Sequence, residues 1–135
     1  MPLAGGPIEQ ITHDSVPSFY PSLSPDGSEV AYHTVARDGR RRVYVRPADG
    51  GAAIPISPGT DADERAAIWA AVGTRIAWST PRRPDHFLSW FTERGPDGRF
   101  GPARHLGGPG FSIIGWSPDA RYVIEIGRAS CRERV

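Results

Sequence analysis

The chain has 135 residues, 16 basic and 15 acidic side chains and a net charge of +1, a balance that offers no electrostatic case for nucleic acid or an anionic membrane surface. All of its basic residues are arginine, and its single cysteine, Cys131, stands near the C-terminus, which excludes disulfides and leaves no thiol before it for catalysis. No apolar run approaches the length of a membrane span, and residues 1–6 lack the charged and apolar regions of a signal peptide.

In chain order, Gly5-Gly6 is followed by Ile11-Thr12, and residues 7–12 are predicted to form a short closing strand. The run Pro21 to Tyr32 carries a reversal at Ser24-Pro25-Asp26-Gly27, then Val30 and Tyr32 alternating with polar or small neighbours. Proline presets the backbone for a turn, aspartate caps it, and glycine accepts positive φ. Arg42 to Arg46 is a second apolar run, reached through a hairpin tip at Asp38-Gly39 with Arg37, Arg40, Arg41 and Arg42 around it, charges that discourage edge pairing. Gly50-Gly51 followed by Ile56-Ser57 then repeats the Gly5-Gly6 signature 45 residues on.

The same order returns in the second unit. Ala67 to Trp78 keeps Gly73, Ile76, Ala77 and Trp78 in register, with Gly73 lying 46 residues after Gly27, although Ala70-Ala71-Val72 replaces the Ser-Pro-Asp set. His86 to Phe91 supplies the next apolar run, and Gly101 to Leu106 a weaker closing signature. A third unit begins at Ile114 and restores Ser117, Pro118 and Asp119, 93 residues after the first set, with Ala120 where the glycine stood. Each complete unit reads as four short strands joined by turns, and repeated four-stranded units of this length are the blades of a β-propeller. The fold class is therefore all-β: about two complete blades, over 20–57 and 66–107, with partial ones at each end, over 7–12 and 111–125. Val30, Tyr32, Val43, Val45, Ile76 and Trp78 are expected on central strands, and Tyr122 to Ile124 at an open edge.

At Leu23 to Tyr32 with Ala48 to Ser57, Trp69 to Trp78, and Trp116 to Ile124, the chain resembles the TolB-type, WD-repeat-like propeller family. That family's repeats carry an aromatic-Ser-Pro-Asp-Gly turn, an apolar strand and a closing Asp-Gly-Gly strand. The departures are Leu23 for the aromatic, the altered second turn, and Ala120 for glycine. The segment 126–135 resembles one reading frame of a short-read sequencing adapter and is expected to be non-native, interrupting the third unit. Arg128, Arg132 and Arg134 against Glu133 give that segment +2, so the remaining chain stands at about −1.

A nucleophile elbow of the Gly-x-Ser-x-Gly kind is absent from the sequence, and Ser24 and Ser117 are assigned to the repeated turn. His13, His33, His86 and His105 lack zinc-site spacing and read as strand-end or surface residues. Asp61-Ala62-Asp63-Glu64 lacks the glycine and distal glutamate of a calcium loop and reads as a solvated connection between blades. Arg82 to Asp85 reads as a loop. Trp69, Trp78, Trp90 and Trp116, with Tyr32, Tyr44 and Phe87, are assigned to packing between blades.

No catalytic residue, cofactor or metal ligand is expected, and the structural repeat turns are the residues singled out. The resemblance implies a non-catalytic scaffold that binds protein or peptide through propeller loops, with neither nucleic acid nor a membrane span, in the bacterial periplasm if the TolB likeness extends to compartment. The alternative it admits is the substrate-gating propeller of a prolyl oligopeptidase-family serine peptidase whose catalytic domain lies elsewhere, and a third is a sensor propeller attached to a kinase or DNA-binding domain.

Overall fold

A computed structural model describes residues 7–56, 63–83, 86–106, 112–126 and 131–134. Eleven strands form three antiparallel sheets among these residues. The first sheet is β1 (Ser18–Leu23), β2 (Glu29–Val35), β3 (Arg41–Pro47) and β4 (Ile54–Pro55), paired in chain order. The second repeats that meander as β5 (Arg65–Trp69), β6 (Arg75–Arg83), β7 (His86–Glu93) and β8 (Arg104–His105). The third holds β9 (Ser112–Trp116), β10 (Val123–Ile126) and β11 (Cys131–Arg134), with β10 in the middle.

The turn between β1 and β2 shows why the motif recurs. Asp26 Oδ1 accepts from the Ser24 hydroxyl at 2.6 Å, the Ser28 amide at 3.0 Å and the Ser28 hydroxyl at 2.8 Å. The Ser24 hydroxyl oxygen in turn accepts from the Glu29 amide at 3.0 Å. Those donors, the Ser24 hydroxyl first, draw the Asp26 carboxyl down to a pKa of about 2. The turn between β9 and β10 reproduces the cage: Asp119 accepts from Ser117 at 2.6 Å and from the Arg121 amide at 3.1 Å, and Ser117 accepts from the Tyr122 amide at 2.9 Å.

Backbone sign is kept even where the side chains change. Gly27 has φ 73°, Gly73 φ 78°, and Ala120, standing in glycine's place, φ 56°. The second turn has no side-chain cage, yet the Ala70 amide donates to the Arg75 carbonyl at 2.9 Å, as Ser24 does to Glu29 at 2.9 Å. The left-handed residue closes the hairpin, and the Ser-Asp pair reinforces it.

Sheets stack face to face. Ala31, Val43, Val45 and Ile56 of the first sheet form one buried cluster with Ala67, Trp69, Ile76 and Trp78 of the second. Ala77 of the second sheet packs with Ile113 and Val123 of the third. Burying an indole the size of Trp78, which is 1% exposed, contributes on the order of 3 kcal/mol. At the rim of the first interface Arg94 makes a bidentate pair with Glu29 at 2.7 and 2.8 Å, and its guanidinium lies 4.5 Å from the centre of the Phe100 ring.

Four sequence expectations need correction. Residues 7–12 are not a strand: residues 7–17 run irregularly, and the Ile11 carbonyl and Asp14 carboxylate meet Arg46 at 3.1 and 3.6 Å. The Pro17 carbonyl accepts from Thr34 at 2.9 Å, so side chains of the first sheet take the place of a backbone ladder. Glu64 is fully buried, not solvated: β4 pairs with β3 only at Tyr44 and Val45, and the Glu64 carboxylate accepts the next free amide, Val43, at 2.9 Å. Of Tyr122 to Ile124, expected at an open edge, Tyr122 precedes β10, and Val123 and Ile124 are not at an open edge because β10 pairs with β9 on one side and β11 on the other. An unpaired strand edge captures any extended segment nearby, here residues 131–134. Finally, of the loop expected over Arg82 to Asp85, Arg82 and Arg83 belong to β6, and Pro84 and Asp85 lie outside the described residues.

Thermal or urea unfolding distinguishes the backbone contribution from the side-chain one. An added Cβ at Gly27 meets nothing within 4 Å, so Gly27→Ala isolates the left-handed strain and should cost about 1 kcal/mol. Glu64→Ala should cost about 2 kcal/mol by orphaning the Val43 amide, while Glu64→Gln, which keeps an acceptor, should cost clearly less.

Candidate functional site

The first strands of the three sheets, β1, β5 and β9, lie beside one another and are each irregular. Pairing of β1 with β2 shifts between Phe19 and Ser22, that of β5 with β6 between Arg65 and Ile68, and that of β9 with β10 opposite Ile124 and Glu125. Tyr20 and Ala66, 46 residues apart, take φ values of 52° and 53° at the first two of these bulges. Pro21 has no amide to give the ladder, which suits the first bulge, but Ala66 takes the same conformation with no proline after it.

First-strand amides that the ladders do not use are taken up between blades. Ala66 N–H donates to His33 Nδ1 at 3.4 Å, Trp69 N–H to the Ser22 hydroxyl at 3.0 Å, and Ile113 N–H to the Ser79 hydroxyl at 3.0 Å. His33 and Ser79 are equivalent positions of successive units, so one bridge recurs with two different acceptors.

Between the three first strands opens a groove of about 860 Å³. Phe19 and Tyr20 stand on one side, Ile113 and Ile114 on another, with His33, Arg41, Arg65 and Phe87 completing it. Tyr20 is 68% exposed and Ile114 51%. The rings of Phe19 and Tyr20 each stack on the His33 imidazole at 5.5 Å between centroids. A single carboxylate oxygen of Asp63 is shared by Arg41 and Arg65, both at 3.4 Å. Its pKa is held below the usual range, chiefly by the Arg41 amide that donates to it at 3.0 Å.

Sequence reasoning did not find this groove. The motif residues Ser24, Pro25, Asp26, Gly27, Gly73, Ser117, Pro118 and Asp119 all sit in hairpin turns, and none of them lines it. Arg41, read from sequence as a hairpin-tip charge, points instead to Asp63, and His33 is buried rather than superficial. The groove is built from strand residues more than from loops. The one signal available in the sequence was Tyr20-Pro21, a proline inside a strand. His105 packs edge-on to Trp90, and no cluster of three His, Cys, Asp or Glu side chains capable of holding a metal ion occurs among the described residues. No helix of the described residues is long and apolar enough to cross a membrane.

Comparison with known proteins bears on the fold first. No protein-family model matches the chain. The chain superimposes on a putative TolB from Agrobacterium tumefaciens with a TM-score of 0.72 and 20% identity, over 93% of this chain and 43% of that one. TolB from Acinetobacter baumannii gives a TM-score of 0.60 and 16% identity, over 84% of this chain and 28% of that one. In sequence, 105 residues are 36% identical to Tricorn protease homolog 1 of Streptomyces coelicolor, covering 78% of this chain and 10% of that protein. The chain thus spans about a tenth of the curated relative and under half of either solved structure. Its fold is that of a TolB-like β-propeller fragment.

His33 makes the blade junction sensitive to acid. Burial first, then the charges of Arg41 and Arg65, lower its pKa from 6.5 to about 4, against a smaller opposing effect of Asp63. The unfolded chain takes up the proton near pH 6.5 and the folded one only near pH 4, so this stability is whole above pH 6.5 and is lost as the pH falls towards 4. The loss should reach on the order of 2–3 kcal/mol at the acid end. In His33→Ser, which copies the acceptor at Ser79, unfolding midpoints should vary less between pH 6.5 and 4 than in the parent chain.

Proposed function

We propose that this chain is part of a β-propeller scaffold that binds peptide or protein segments in the groove between its first strands, without chemistry of its own. The observation that carries the reading is the groove itself: an opening of about 860 Å³ in which Phe19, Tyr20 and Ile114 keep large apolar surfaces in water. Exposed apolar surface gathered in a concavity marks a binding site, whereas scattered exposed side chains do not. The rigidity of the stacked sheets holds these side chains in place before a partner arrives, which lowers the entropy lost on binding.

A second reading draws on the 36% identity to a protein named as a Tricorn protease homolog. In that reading the propeller belongs to a longer peptidase and the groove contacts substrate chains on their way to a catalytic domain elsewhere. Both readings put a peptide in the same groove, and they differ in whether the bound peptide is later cleaved.

The test is titration of the isotope-labelled 135-residue chain with an unstructured peptide of alternating apolar and polar residues, monitored through amide resonances. Shifts should concentrate at Tyr20, His33, Ala66 and Ile114 while the peptide's mass stays unchanged. Cleavage of the peptide would overturn the scaffold role, and shifts confined to the hairpin turns at Asp26 and Asp119 would overturn the groove as the site.

A further inference from the structure

The groove has a polarity as well as an apolar surface. Among the described residues that line it, the charged ones are Arg41 and Arg65, and none is a carboxylate. Behind them, one Asp63 carboxylate serves both guanidiniums at 3.4 Å, longer than the 2.7–2.9 Å of a strong charge-assisted bond. The side chains of Arg41 and Arg65 remain 35% and 43% exposed. Both guanidiniums thus share one carboxylate at long range while lining the same groove as Tyr20. His33 contributes no charge near neutral pH.

Resting on the peptide-binding reading, we infer that the groove selects an extended acidic peptide, one that sets an apolar side chain against Tyr20 and Ile114 and an internal carboxylate against Arg65 and Arg41. The arrangement of the two halves fits such a ligand. Arg65 and Ala66 are adjacent on β5, and Ala66 is the bulge residue equivalent to Tyr20 on β1. Tyr20 and Arg65 both line the groove, so a chain lying across β1 and β5 comes within reach of the ring and the guanidinium. Tyr20 is also held at φ 52°, a conformation disfavoured for a residue with a bulky side chain. Glycine would occupy that backbone position with less strain, so the ring is present at a cost that its burial does not offset, since it is 68% exposed.

The experiment compares two peptides with blocked termini, acetyl-Gly-Glu-Leu-Phe-Gly-amide and the same sequence with glutamine for glutamate, binding to the 135-residue chain at low salt. The glutamate peptide should bind about fivefold more tightly, and the preference should shrink as salt rises. In Arg65→Gln the two peptides should bind alike. In Tyr20→Gly both should weaken while the unfolding midpoint holds or rises, because the left-handed backbone suits glycine; a structural role alone would lower that midpoint. Equal binding of the two peptides by the parent chain would overturn the acidic preference and leave the peptide reading standing. Binding of neither would overturn both.

Discussion

A single four-stranded sheet with apolar side chains on both faces cannot hide them alone, and everything else in this structure depends on that constraint. Ala31 and Val43 leave one face of the first sheet, Val30 and Tyr32 the other, and water can be removed from both only if another layer lies on each side. The second sheet supplies one layer through Trp69 and Trp78. On the opposite face the irregular segment 7–17 lies along Arg46 and Thr34 and serves as a layer without forming a strand. The repeat exposes the difference: Trp69 is 6% exposed beneath the first sheet, whereas Leu23, at the equivalent place one unit earlier, is 60% exposed.

Stacking then decides where polar groups go. Once the sheets are in contact, any backbone amide that the ladder does not use is trapped between them and must find an acceptor. Glu64 answers the Val43 amide, His33 the Ala66 amide, Ser22 the Trp69 amide and Ser79 the Ile113 amide. These bridges are spread over different residue types because the requirement is for an acceptor at a place rather than for a particular side chain. The bulge residues Tyr20 and Ala66 also line the groove. Structural irregularity and the candidate site therefore meet on these strands.

The turns were legible in the sequence because each is closed within a few residues. Asp26 and Ser24 bond to partners no more than five positions away, so composition and spacing alone specify the geometry. Ala120 shows the limit of the substitution: a local cage at Ser117 and Asp119 holds an alanine at φ 56°, where the pattern calls for glycine. The groove was not legible, since its walls come from positions as far apart as Phe19 and Ile114. Arg41 was misread for the same reason; its partner, Asp63, lies 22 residues away in the connection that leads to the next unit. Residues 7–12 were misread in the other direction, because the strand-like pattern there has no adjoining strand edge to complete it and the segment turns to side-chain partners instead.

By itself the sequence determined the period, the hairpin turns, the all-β class and which alternating residues would leave water, all of which come from contacts between near neighbours and from the two-residue alternation of a strand. Only the tertiary structure decided which apolar face is covered and by what, that Glu64 and His33 are buried, and that Tyr20, Ile114, Arg41 and Arg65 share one groove. Those outcomes depend on how one blade lies against the next, and the position of a second sheet is set by the summed packing of many side chains rather than by any motif that a single segment carries.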